Sequence, residues 1–127
     1  MMNEKAAVGK RGEDEACRHL RELGHGIICR NWRSSHLEID IISLKGNELH
    51  IVEVKSRNAP AAAEPEANVT RLKQKRLVAA ARAFMASPER KALPLDLEII
   101  FDVITVVFDG PEFEMEYYPQ AFIPIYA

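Results

Sequence analysis

The stretch that most constrains this chain runs from Glu38 to Arg57 and reads E-I-D-I-I-S-L-K-G-N-E-L-H-I-V-E-V-K-S-R. Two apolar runs, Leu37 to Leu44 and Leu49 to Val54, flank Gly46-Asn47, and a reversal there pairs them as antiparallel strands. Whether the loop is Gly46-Asn47 or Lys45 to Glu48, Ile42 meets Ile51, Leu44 meets Leu49, Asp40 meets Glu53 and Glu38 meets Lys55. This register sets Asp40 and Glu53 on the face of Ile42, Leu44, Leu49 and Ile51, the half-buried one. Opposed side chains in such a ladder have Cβ atoms roughly 4.5–5.5 Å apart, so two carboxylates placed this way repel. A raised pKa on one acid, a basic neighbour or a bound divalent cation would offset the repulsion. Lys55, two residues beyond Glu53, favours the last two. An E-x-K triplet is by itself an ordinary strand end, and the shared face of two acids is what singles this one out.

At 127 residues the chain is expected to form one domain, 1–127, with a proper core. No run approaches the ~18 apolar residues of a membrane span, and the first ten residues lack the apolar core of a signal peptide. A cytoplasmic protein without membrane association is expected. Cys17 and Cys29 are isolated, which predicts reduced thiols rather than a disulfide or zinc site. A net charge of −2 and a pI near 6.1 argue against an avid, sequence-blind coat for nucleic acid but leave room for a local basic strip.

Along the chain, the spacing of Ala16, Cys17, Leu20 and Leu23 predicts a helix over Ala6–Leu23, stopped by Gly24. Glu13 falls on its core-facing stripe, where it either serves a site or complements the helix dipole. Gly9 and Gly12 leave room for a close approach. A short strand, His25 to Trp32, leads past Arg30 and Arg33, which meet either phosphate or surface acids. His36 reads as a passive loop residue. Asn58 to Asn68, broken by two prolines, is a loop, either a substrate flap or a plain linker. A second helix, Asn68–Ala86, turns Val69, Leu72, Leu77, Ala80 and Phe84 to the core and leaves Arg71, Lys75 and Arg82 solvated. Lys73 and Arg76 fall inside its apolar arc and must snorkel outward or reach an acid or phosphate. Glu98 to Phe108 is nearly all apolar and is expected at the centre of the sheet, with Asp102 bonded to arginine or backbone. Phe113 to Tyr126 reads as an edge strand plus coil, or as a dimer contact.

Taken together, Gly9-x-x-Gly12-Glu13, Asn31-Trp32-Arg33, Glu38-Ile39-Asp40, Glu53-Val54-Lys55-x-Arg57, Thr70-x-x-Lys73, Phe101-Asp102-Val103 and Ala121-Phe122 resemble the YraN family of bacterial proteins over nearly the whole chain. That family is similar to the restriction-endonuclease-like, PD-(D/E)xK nucleases, and particularly to archaeal-type Holliday junction resolvases. The resemblance implies an α/β fold with a mixed central sheet flanked by helices. It implies a metal-dependent nuclease hydrolysing DNA phosphodiester bonds, with branched or junction DNA as substrate and a homodimer where two strands are cut together. Its catalytic residues would be Glu13, Asp40, Glu53 and Lys55, with Asp40 and Glu53 holding Mg²⁺ or Mn²⁺. Arg33, Arg57, Lys73 and Arg76 would contact nucleic acid. The chain carries Leu37 and Ile100 where the family usually has glycine and arginine. A nucleic-acid-binding module without useful catalysis, or an interaction subunit using the aromatic tail, are the competing functions. No G-x-S-x-G, G-x-x-x-x-G-K or H-E-x-x-H motif supports another enzyme class.

Overall fold

Residues 2–60 and 68–124 are described by the computed structural model. The N-terminal helix α1 (Glu4–Glu22) starts two residues before the Ala6 expected, because the Asn3 side chain accepts the Ala6 N–H at 2.7 Å and caps it. It ends where Gly24, at φ +93°, turns the chain so that His25 N–H can reach the Leu20 carbonyl at 2.9 Å. Strands β1 (Gly26–Ser34), β2 (Leu37–Lys45) and β3 (Glu48–Asn58) form an antiparallel meander. The β2–β3 turn is Gly46-Asn47, with Gly46 at φ +61°, and the Ile42–Ile51, Leu44–Leu49 and Lys45–Glu48 pairs form as the apolar pattern predicts.

Helix α2 (Arg71–Met85) carries the crossover from β3 to β4 (Glu98–Asp109), which pairs parallel to β3, and β5 (Glu112–Phe122) closes the far edge. The five-stranded mixed sheet runs β1-β2-β3-β4-β5. Its middle strand is therefore β3, and β4, expected at the centre, lies one place over as an interior strand between β3 and β5. Parallel pairing with β4 also extends β3 to Asn58, beyond the apolar run that marks it in sequence.

The helices cover opposite faces. Ala16, Cys17 and Leu20 of α1 bury against Ile41, Val52, Ile104, Val106 and Phe108. Leu77, Ala80, Ala81 and Phe84 of α2 bury against Ile39, Ile42, Leu49, Ile51 and Phe101. Thr70 caps α2 through Lys73 N–H at 3.2 Å, so the helix starts later than the Asn68 expected. Leu72, expected in the apolar face, is 59% exposed, because the buried stripe is centred on the line through Lys73, Leu77, Ala80 and Phe84. Both cysteines are free thiols, Cys17 buried and Cys29 half-buried. The stretch expected as a flap falls mostly outside the described residues.

Gly12 sets the spacing of α1 on the sheet. A Cβ built there would lie 1.7 Å from Ser56 Oγ and 2.8 Å from Ser56 Cβ, so only glycine lets α1 sit this close to β3. Gly9 faces open space. Among the described residues, no helix is long and apolar enough to cross a membrane.

Candidate active site

Residues two apart on a strand normally share a face, yet Ile41 packs with α1 and Ile39 with α2. The neighbouring strand changes face at the same level. Arg30 and Asn31 both reach Glu13 on α1, whereas Trp32 stacks edge-on against Phe84 of α2, ring centroids 5.5 Å apart. Asn31 takes φ +52° at this step, and Asp40 sits between Ile39 and Ile41 across from it. The break in alternation takes Asp40 out of the regular ladder. The β2–β3 pairing stops at Ile41–Val52, and beyond it Val54 N–H donates to Asp40 Oδ2 at 2.9 Å.

This geometry corrects two expected pairs. Asp40 and Glu53 are not ladder partners, although Glu53 stands close enough for its charge to act on Asp40. Glu38 does not face Lys55; it stands across from Arg33 on β1 and pairs with it at 3.5 Å in a solvent-exposed contact. Strand divergence explains both, since side chains beyond Ile41 no longer have a β3 partner directly opposite.

The acids nonetheless converge. Burial, together with the negative charge of Glu53, pushes the Asp40 carboxyl up to about 8, against the opposing pull of the Val54 N–H; Glu13 adds a weaker repulsion from α1. Glu53 is 13% exposed, and its Oε2 is buried with no hydrogen bond among the described residues. Its one cationic neighbour there is Lys73 of α2, at 3.2 Å, an ion-pair contact without hydrogen-bond geometry. Lys55, the expected neighbour, donates to the Asn68 carbonyl at 2.7 Å. Glu13 is largely buried and held by Arg30 at 3.5 Å and Asn31 at 3.1 Å, while Arg30 also grips Asp14 at 2.8 Å. Of the expected nucleic-acid contacts, Arg33 and Arg76 are exposed, Arg57 is half-buried beside the Gly12–Ser56 packing point, and Lys73 is committed to Glu53. His36 is exposed beside Ser35, as a loop residue.

Two partly buried carboxylates, one with an orphan oxygen, suit a hard divalent cation, which takes oxygen ligands and would cancel their repulsion. Among the described residues no group of three His, Cys, Asp or Glu gathers as a metal set. Mg²⁺ tolerates so few protein ligands because it keeps several waters.

A second polar cluster lies where the pattern gave little warning of it. Asp102, fully buried in β4, accepts from Tyr117 Oη at 2.6 Å and Gln120 N–H at 2.9 Å, and meets His50 Nδ1 at 2.6 Å. Its expected arginine partner is thus replaced by a histidine and a tyrosine, with backbone as expected. His50 Nε2 meets Glu48 Oε1 at 3.0 Å, so both ring nitrogens face carboxylates, which only the imidazolium fully satisfies. Burial opposes that charge, but Asp102 and then Glu48 outweigh it and hold the His50 pKa above the usual imidazole value. The His25 ring packs at a tilt against His50, centroids 4.5 Å apart, and bonds Ser43 at 2.9 Å; burial and the His50 charge lower its pKa. The one sequence signal for this cluster was a lone acid in an apolar strand.

The model of the Uncharacterised protein family UPF0102 matches residues 12–106, which span the acids, Lys55, Lys73 and Asp102. A UPF0102 protein of Bacteroides thetaiotaomicron is 42% identical over 97% of this chain and 98% of its own length. One from Flavobacterium psychrophilum is 39% identical over 95% of this chain and 98% of its own, and one from Nitratidesulfovibrio vulgaris is 38% identical over 96% and 88%. The resemblance to the YraN family is thereby borne out, and the chain belongs to the Uncharacterised protein family UPF0102.

Proposed function

We propose that this chain is a metal-dependent endonuclease that hydrolyses phosphodiester bonds in DNA, with branched or junction structures as its expected substrates. The observation that carries the reading is the acid pair: Asp40 and Glu53 converge where β2 leaves β3, and their mutual repulsion is only partly offset by Lys73. A carboxyl raised this far by burial and an acidic neighbour is a functional-site candidate.

Asp40 and Glu53 would hold Mg²⁺ or Mn²⁺. When bound, such an ion supplies Lewis-acid activation of the phosphodiester and of the attacking water. The Val54 N–H holds Asp40 through Oδ2. Lys55, on the face of Glu53, is a flexible ammonium that exchanges the exposed Asn68 carbonyl for phosphoryl oxygens and stabilises charge there. Glu13, braced by Arg30 and Asn31, presents a carboxylate from α1 for positioning water. Exposed Arg33 and Arg76, with Arg57, supply backbone contacts that position the duplex.

The test is nicking of branched and flapped DNA with Mn²⁺. Asp40→Ala, Glu53→Ala and Lys55→Ala should each reduce cleavage by about 10²-fold or more. Metal-dependent cleavage that survives all three substitutions would sink the proposal. The Lys55–Asn68 bond favours a second reading, a DNA-binding module without turnover, as does the lack of a third clustered ligand among the described residues. Salt-sensitive DNA binding with no calorimetric response to Mg²⁺ or Mn²⁺ would select it.

A further inference from the structure

Lys73 keeps 44% of its side chain in solvent but turns its ammonium to an acid. It lies on the line of Leu77, Ala80 and Phe84, one turn before Leu77, where the buried stripe of α2 meets the polar end of β3. The Thr70 cap on Lys73 N–H fixes the start of the helix and hence the direction of this side chain. Its ammonium stands 3.2 Å from Glu53 Oε2, an oxygen that is buried and has no hydrogen bond among the described residues. Lys55, nearer in sequence, is turned to Asn68. One carboxylate oxygen, suited to a metal, is thus covered by one ammonium.

We infer that Lys73 is the resident counter-ion of Glu53: it competes with a divalent cation for Oε2, so the ion pair sets how much metal the site requires. The inference rests on the metal-dependent reading of the same site and gives Lys73 a role beyond DNA contact. A bracing lysine and a competing lysine predict opposite signs. Removal of a brace loosens the acids and weakens metal binding, whereas removal of a competitor strengthens it. The Lys73–Glu53 contact, buried on the glutamate side and open to solvent on the lysine side, must be broken before a cation can take the oxygen, and that cost is subtracted from metal affinity.

The experiment is calorimetric titration of the full chain with MnCl₂, without DNA, on the wild type, Lys73→Met, Lys55→Met and Glu53→Gln. Lys73→Met keeps the aliphatic stem and should bind Mn²⁺ about fivefold tighter, about 1 kcal/mol at 1.4 kcal/mol per decade. Lys55→Met should stay within about twofold of the wild type, since its ammonium is engaged elsewhere. Circular dichroism confirms folding, and Lys73→Gln repeats the measurement should Lys73→Met fail to fold. Unchanged or weaker binding in the Lys73 variants, while the wild type binds and Glu53→Gln does not, overturns the competition and leaves the metal site standing. Equal tightening by Lys55→Met also overturns it, as general loss of positive charge. No Mn²⁺ binding in any variant overturns the metal reading as well.

Discussion

Asp102 and the Asp40–Glu53 pair are acids on the same sheet with opposite treatment. Asp102 is deeper, yet both its oxygens are occupied by His50, Tyr117 and the Gln120 N–H, and His50 is itself held from its far side by Glu48. Among the described residues Asp40 accepts one backbone N–H, from Val54, and the charge that acts on it most is that of another acid, Glu53. This fold evidently can satisfy a buried carboxylate when stability is all that is asked of it. A pair that must hold a proton to coexist in the same molecule therefore calls for a role other than stability, whereas the Asp102 cluster needs none.

The contrast is sharpest under mutation. Asp102→Ala strips partners from His50, Tyr117 and Gln120 together and should destabilise the chain by about 3–5 kcal/mol in chemical denaturation. A loss below about 1 kcal/mol would mean that the cluster is not the structural counterweight described. Gly12→Ala drives a methyl into Ser56 and should cost about 1–3 kcal/mol, displacing α1 and Glu13 from the sheet; an unchanged melting temperature would refute the close contact.

Asp40→Asn should act in the opposite direction. A carboxyl whose folded pKa stands near 8 and whose unfolded value is the usual 3.8 keeps its proton when folded and loses it when unfolded, so metal-free stability falls as pH rises between those values. The amide has no such penalty, and the variant should melt about 2–5 °C above wild type at pH 8 and gain little at pH 4. His50 and His25 contribute equally to both proteins and cancel in the comparison. Their own signs differ: the raised His50 pKa adds stability that is full below 6.5 and fades as pH climbs through its higher folded value, while His25 costs stability as pH drops below 6.5. A gap between wild type and Asp40→Asn that stayed constant with pH would remove the repulsion. Tyr117→Phe deletes one of three bonds to Asp102 and should cost about 1 kcal/mol, the smallest effect, read from the same denaturation curves.

The halves of this comparison were unequally legible in sequence. The β2–β3 register followed from Gly46-Asn47 and the flanking Ile and Leu, because turn chemistry and alternation are local. The convergence of Asp40 with Glu53 was legible for the same reason, but its form was not. The face change at Asn31 and Asp40 is a cooperative event of two strands against two helices, and no window of either strand reveals it. The choice of Lys73 over Lys55 depends on where α2 lands on the sheet, which proximity in sequence misjudged. His50 and Asp102 are brought together by the parallel pairing of β3 with β4, a contact across 52 positions that alternation in either strand cannot specify. β4 read as central because its apolar run marks an interior strand, and an apolar run does not distinguish the third place in a sheet from the fourth.

The central claim is that the unsatisfied acids are a cation site, and the most direct test is anomalous diffraction from crystals of the full chain soaked in Mn²⁺. The account predicts one strong peak bridging the carboxylates of Asp40 and Glu53, with the Lys73 ammonium moved off Glu53 Oε2. A map with no peak there, or with Lys73 still seated on Glu53 while manganese binds elsewhere, would contradict it.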